Sequence, residues 1–333
     1  MIRSLGFWGL VALLAVPAWA GAPGWVSDLE QDFPNAKYLA AVGVGDTRKD
    51  AEAAAAGALA KRFTVHIQAD TASQKRYLDL VKGDKSYSES ESKFSQSVDL
   101  QANESLMNVR FSDPYADPSG TVSVVAYLER SPTGALYRNV IGKDVAKAAS
   151  LEDRAKAANG TLLKFALLDS ALVVEQNAAR LLEQLRIIHP VSADSLESEV
   201  DLPGLAKARD EAAAKLTYAL DVTGDERIGS VIQSALSTLS LAANPGGPLH
   251  LKGVWTVVPV KINPQYQSVQ WTLELNLVDE AGSSVATISK TDKENGLTME
   301  AARGFALRQA GKFINATLAS AVTDYLTRLV TGQ

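Results

Sequence analysis

The chain has 333 residues, 46% of them apolar, and its 33 Lys and Arg against 38 Asp and Glu give a net charge of −5. That length suggests two domains more readily than one, and a mildly acidic chain with no basic run is poorly suited to nucleic acid or an anionic lipid surface. There is no cysteine, which excludes disulfides, thiolate metal sites and a cysteine nucleophile.

Residues 1–20 read as a secretory signal peptide. Arg3 is the only charge before Asp28, Leu5 to Ala18 is almost wholly apolar, and Ala18-Trp19-Ala20 supplies the small residues of a cleavage site. A membrane anchor needs ~20 consecutive apolar residues; this run is shorter and Pro17 interrupts it. Cleavage after Ala20 removes Arg3 and takes the charge from −5 to −6. Gly21, not a cysteine, would begin the mature chain, so no lipid anchor is expected there. No later segment is apolar enough to span a bilayer. The expected location is periplasmic or associated with the outer membrane.

Residues 21–131 read as the first folded region. Tyr38 to Gly43 has the composition of a short buried strand. Thr47 followed by Asp50 makes a capping box for an Ala-rich helix reaching Arg62. Phe63, Val65, Ile67 and Ala69 alternate with Thr64, His66, Gln68 and Asp70, the period of a strand with one wet face. Lys82 to Asn103 is rich in Ser and Glu, and suits an extended polar strand or a helix. After the turn at Asp117-Pro118-Ser119-Gly120, Val122, Val124, Ala126 and Leu128 alternate again.

Residues 132–204 read as a helical hairpin and connector. Leu167, Ala171, Val174, Ala178, Leu181, Leu185 and Ile188 form a narrow apolar seam at heptad-like spacing. Asn159-Gly160 breaks the two helices, and His189-Pro190 ends the second. The seam suits packing against the partner helix, and it equally suits an arm through which two copies or a foreign protein would dock. Packing inside the chain, with some surface left for a partner, is the preferred reading. A homo-oligomer would form through this hairpin.

Residues 205–333 read as a C-terminal α+β region. Asp210 to Lys215 is helical in character, Leu216 to Val222 suits a strand and Ile228 to Leu241 a helix. Asn244 to Pro248 is a loop. Val254 to Ile262 follows as a strand that Pro259 confines in part to an edge or a bulge. Trp271 to Leu277 alternates without error. Glu280-Ala281-Gly282 turns the chain into a strand around Val285 to Ile288. Leu307, Ile314, Leu318, Ala321, Tyr325 and Leu329 share the apolar face of a closing helix.

Three segments of the first region carry a resemblance. Pro23-Gly24-Trp25-Val26, then Tyr38-Leu39-Ala40-Ala41-Val42-Gly43-Val44-Gly45 with Glu52 in the helix that follows, then Ser123 to Arg130, resemble in order the signature segments of the LPP-twenty outer-membrane lipoproteins. The resemblance covers about a third of the chain. It implies a small β-α-β-β-β domain, envelope location and partner binding rather than catalysis. It extends to the N-terminal domain of a flagellar protein of the motor's H ring. The departure is at Gly21, where many members carry the lipid-bearing cysteine.

Other motifs have bland readings. Gly43-Val44-Gly45 begins like a dinucleotide fingerprint, but Arg48 stands where the third glycine belongs. A close helix–sheet approach explains the two glycines. His66, His189 and His250 lie in three different regions and form no metal-binding spacing. Glu89, Glu91, Asp99 and Glu104 are interleaved with Ser and Lys93, as in a solvated polar segment. The expectation is an α+β protein: an N-terminal β-α-β-β-β domain, a central helical hairpin and a C-terminal antiparallel sheet packed with helices. No catalytic, cofactor or metal residue is assigned. The expected work is non-enzymatic binding or scaffolding of envelope proteins. A part of a flagellar-type outer ring is the alternative, and an envelope-polymer hydrolase a remote third.

Overall fold

The computed structural model describes residues 22–63, 71–82, 87, 98–100, 104–262 and 265–332. The expected signal peptide, the strand expected after Phe63, His66, Glu89 and Glu91 lie outside these residues. Contacts divide the chain into two units, one built on residues up to Leu59 together with Val109–Leu128, the other on Ala60–Asn108 and Glu129–Gln333.

In chain order the first elements are two short helices, α1 (Gly24–Ser27) and α2 (Leu29–Asp32), strand β1 (Tyr38–Gly45) and helix α3 (Arg48–Ala60). Helix α4 (Thr71–Val81), which no sequence signal announced, and a hairpin of β2 (Val98–Leu100) and β3 (Glu104–Leu106) follow. Then come β4 (Arg110–Phe111), β5 (Tyr115–Ala116) and β6 (Val122–Glu129).

The first unit is a four-stranded sheet in the order β1-β6-β4, with β5 also on β6. The expected capping box starts α3: Thr47 Oγ1 accepts the Asp50 N–H at 3.2 Å and donates to Asp50 Oδ2 at 2.6 Å. Ala51, Ala55, Ala56 and Leu59 of α3 are buried. Gly43 and Gly45 are the reason the helix can lie so near β1. A Cβ on Gly43 would stand 2.0 Å from the Ala55 backbone nitrogen, and one on Gly45 2.7 Å from that of Ala51. The close-approach reading of these glycines therefore holds. Trp25, Ala40 and Val125 form a small cluster, flanked by Phe33, Tyr115 and Tyr127. The Phe33 ring lies 5.5 Å from Tyr38 and 4.9 Å from Tyr127, edge-on and tilted contacts that suit aromatic quadrupoles.

The second unit continues with two 28-residue helices, α5 (Arg130–Ala157) and α6 (Thr161–Ile188), joined at Gly160 with φ +118°. They are antiparallel: the Tyr137 hydroxyl donates to Gln184 at 3.0 Å, and Asn177 donates to Asp144 at 2.8 Å. The remaining elements are α7 (Pro190–Asp194), α8 (Leu202–Ala213), β7 (Tyr218–Thr223), α9 (Glu226–Ser237), β8 (Leu249–Val260), β9 (Gln267–Val278), β10 (Ser284–Gly296) and α10 (Met299–Thr331). All seven seam residues of α6 are buried, so the seam is used inside the chain. Phe165, Leu167 and Val174 of α6 share one core with Ile232, Trp271, Leu273, Leu275 and Ile314.

The C-terminal sheet runs β10-β9-β8-β7. It is mixed rather than wholly antiparallel, because α9 carries the chain across between β7 and β8, which pair in parallel. β7 reaches only as far as Val254 on β8. Pro259 pairs with Val269 on the other side, so the proline sits where β8 is an edge and needs no second donor. The buried stripe of α10 is Ala302, Ala306, Ala310, Ile314, Leu318, Val322, Leu326 and Val330. Ile314 and Leu318 of the expected face lie in this stripe, and its other expected members lie one residue from it. Alanines fit beneath the sheet, while Leu307, Ala321, Tyr325 and Leu329 flank the stripe half-buried.

Candidate functional site

Among the described residues β6 is the one strand partner of β1. Its eight residues, Tyr-Leu-Ala-Ala-Val-Gly-Val-Gly, include no charge and no proline. Successive side chains alternate between faces. Leu39, Ala41, Gly43 and Gly45 lie on the α3 side, where the two glycines meet the helix backbone. On the other side Ala40 is covered by Trp25. Val42 and Val44 run out from under that cover and are 38% and 54% exposed. The sequence reading of β1 as a buried strand is thus corrected over its second half. Composition could not show this, because an edge strand and a central strand are written with the same residues. A strand of this kind offers a row of backbone donors and acceptors, with two small apolar side chains beside it. That is what an added strand needs.

The charged and polar groups that could suggest chemistry are held in internal networks of the second unit. Asp144 on α5 is fully buried. Tyr77 and Tyr87 donate to its Oδ1 at 3.0 and 2.9 Å, and Asn177 to its Oδ2 at 2.8 Å. Burial pushes its carboxyl up to about 6 from the ordinary 3.8, and the hydrogen bonds from Asn177 and the two tyrosines hold it back from rising further. Desolvation and then the neighbouring Asp144 carboxylate push the Tyr77 hydroxyl well up. Asp169 on α6 lies between Arg76 at 2.7 Å and Arg209 at 2.9 Å. Arg209 also donates to Ser240 and to the Leu239 carbonyl, and lies over the Phe165 ring. Glu175 is raised by burial and accepts the Asp201 N–H at 2.9 Å. These groups tie helices and loops together, and a raised carboxyl with both oxygens already bonded has a structural cause. None of these partners was visible in the sequence, since Tyr77, Asp144 and Asn177 are far apart along the chain.

His189 closes α6, its N–H donating to the Leu185 carbonyl at 2.7 Å. His250 is exposed on β8. The backbone of Asp99 and Glu104 lies in the β2–β3 hairpin, which settles that part of the polar stretch as strand. Among the described residues no group of three or more His, Cys, Asp or Glu could hold a metal ion, and no helix is long and apolar enough to cross a membrane. A pocket of about 280 Å³ lies at the hairpin tip between Leu162, Leu163, Leu216, Leu249, Tyr325 and Leu329; it is smaller than the ~300 Å³ at which small-molecule sites begin.

No family model and no curated protein matches the chain. Solved structures similar to it include a minor lipoprotein of Acinetobacter baumannii, 12% identical with a TM-score of 0.25, covering 34% of this chain and 94% of that one. A secreted protein of Helicobacter pylori is 11% identical with a TM-score of 0.40, over 86% of this chain and 98% of that one. A candidate lipoprotein of Caulobacter crescentus CB15 is 15% identical with a TM-score of 0.21, over 37% and 93%. Likeness at this level does not carry a function from one chain to another.

Proposed function

We propose that this protein is a non-enzymatic module of the bacterial cell envelope, exported by its N-terminal signal, that binds or scaffolds other proteins by strand addition at β1. The observation that carries the reading is the uncharged strand β1, with Val42 and Val44 exposed and β6 its one strand partner among the described residues. The signal-like first twenty residues and the resemblance of residues 23–130 to the LPP-twenty lipoproteins support the location and the binding role. The resemblance to the flagellar H-ring protein supports a finer form, in which the module is a structural part of a ring.

The test is crosslinking in intact cells from a photo-reactive residue at position 44, with the chain recovered by a tag after Gln333. A defined set of outer-membrane or motor proteins, lost when Val42 is replaced by Lys, is the expected result, and the identity of that set chooses between general scaffold and ring. A chain that meets no other protein through position 44 overturns the reading and returns attention to a small ligand or an unassigned active site.

A further inference from the structure

We infer that one end of the C-terminal sheet, where the β8–β9 turn and the β10–α10 turn meet, is a lipid-contacting tip that inserts Ile262, Tyr266 and Leu297 into the interface of a phospholipid bilayer. The tip shares no residue with β1, and its partner goes beyond the proposed function.

Register places the three side chains together. At this end of the sheet the last pairs are Val260 with Ser268 and Gln267 with Gly296. Ile262 lies just beyond Val260, Tyr266 just before Gln267 and Leu297 just after Gly296. They therefore extend past the ends of three neighbouring strands. Ile262 is 51% exposed, Tyr266 44% and Leu297 80%, the highest exposure of any large apolar side chain among the described residues. Val258, on the outward face of β8, adds a fourth at 51%. Exposed apolar side chains gathered in this way mark a protein or a membrane contact. Shape and charge choose between the two.

The side chains stand on turns at the end of a sheet, not in a groove. A protein partner would need a pocket to receive them, whereas a bilayer interface takes up a projecting tip without one. Tyr266 and Lys261 are both here, and these are side chains that bury an apolar body while the polar end stays in water. The charge pattern points the same way. From Arg227 to Leu273 there is no Asp or Glu, and the charges are Arg227, Lys252 and Lys261, in a chain where 38 of 333 residues are acidic. At this end of the sheet Asp225, Glu226, Glu294 and Glu300 are matched in number by Arg227, Lys293, Arg303 and Arg308, and Lys261 is the charge on the tip itself. A net charge of −5 opposes approach to an anionic bilayer over most of the surface, and this end carries no excess of carboxylates to do so. A few inserted side chains give only reversible membrane binding, so the tip orients the molecule on a bilayer and does not anchor it.

The test uses the chain from Gly21 onward, which holds every described residue and lacks the apolar first twenty, which would bind lipid by themselves. It is sedimented with vesicles of phosphatidylethanolamine and phosphatidylglycerol. The chain has no cysteine, so Ile262→Cys and Glu280→Cys each accept a single polarity-sensitive dye, the second in the β9–β10 turn at the opposite end of the sheet. The wild type is expected to pellet with the vesicles. Ile262→Asp and Leu297→Asp each weaken that partition about tenfold, through lost apolar burial, and together they abolish it. Both positions are exposed, so the urea midpoint stays that of the wild type. With vesicles the dye at 262 shifts to the blue and is quenched by nitroxide lipids, while the dye at 280 does neither. A chain that does not pellet, pelleting that both Asp variants leave unchanged, or a dye at 262 that stays in water overturns the inference. Crosslinking from position 44 is read on other residues, so the proposed function and the lipid tip can each fall alone.

Discussion

Among the described residues β1 and β10 each pair with a single strand, and they are built differently. β10 is 13 residues long, and its second half carries Lys290, Asp292, Lys293 and Glu294. Lys290 is paired with Asp292 and lies over the rings of Trp271 and Phe313. The opposite edge of that sheet, β7, is only six residues long and holds Asp221. Charges and shortness discourage a foreign strand, because pairing there would desolvate ions or satisfy too few bonds. β1 has neither protection. Strand addition is an unavoidable hazard of open sheets, and of these two strands only β10 carries charges that oppose it.

The comparison can be broken hardest through the glycines. Gly43→Ala drives a methyl into the α3 backbone and should cost about 3 kcal/mol or more, since backbone must move to relieve it. Gly282, at φ +80° in the β9–β10 turn with open space around its Cβ, should lose only about 1 kcal/mol as Ala, the left-handed penalty alone. Urea unfolding of the two variants measures both. Equal losses would mean that α3 does not press on β1 as described.

Asp144 gives the next effect. Its folded pKa of about 6 lies above the ordinary 3.8, so the unfolded chain ionises first as pH rises. Stability from this group is fully present below about pH 4 and is lost as pH rises through 6. The swing is about 3 kcal/mol, at 1.36 kcal/mol per unit. Asp144→Asn removes that dependence, and its amide would face the donating Asn177 amide. Urea midpoints between pH 4 and 7 should therefore fall more steeply for the wild type than for the variant. Parallel slopes would show that Asp144 is not held as a buried carboxylate.

Stripping the guarded edge sharpens the contrast. Asp292→Thr with Lys293→Thr leaves the net charge unchanged, yet it should raise concentration-dependent association by about tenfold, as a bare edge becomes a template. Light scattering reads this, and no change would mean that these charges are not what keeps β10 single. The smallest effects are at the caps. Thr47→Ala removes the acceptor for the Asp50 N–H of α3, and Thr298→Ala that for the Ala301 N–H of α10. Each should cost about 1 kcal/mol. A negligible loss at Thr47 would show that α3 is held by packing alone.

Elements with one wet face were legible in the sequence. Trp271, Leu273, Leu275 and Leu277 alternate with polar residues because β9 is covered on one side only. The heptad seam was legible because α6 buries a continuous stripe. The second half of β10 was not, since its Ser, Lys, Asp and Glu are held by pairing with β9 and not by burial. The face of α10 was placed correctly at Ile314 and Leu318 and one residue off at Leu307, Ala321, Tyr325 and Leu329, because its sheet contact also uses alanines, which hydrophobic periodicity underweights. α4 went unseen for a related reason: Tyr77, Leu80 and Val81 are its few buried apolar side chains, too short a stripe to read. Of the candidate site, β1 itself was legible as a strand, but its pairing with β6 alone among the described residues was not. Edge position is a property of strand order, which no single segment encodes.

The first unit is not continuous in sequence: β1 and α3 come from before Leu59, and the strands that complete their sheet come after Val109. A ribosome or a translocation channel delivers the chain from its N-terminus. Val122, where β6 begins, follows Gly45, where β1 ends, by 77 residues, so β1 emerges well ahead of the strand that pairs with it among the described residues. Contacts this distant along the chain form slowly, and an unpaired apolar strand in that interval invites misassembly. The longest wait in that sheet therefore falls to an uncharged strand of eight residues.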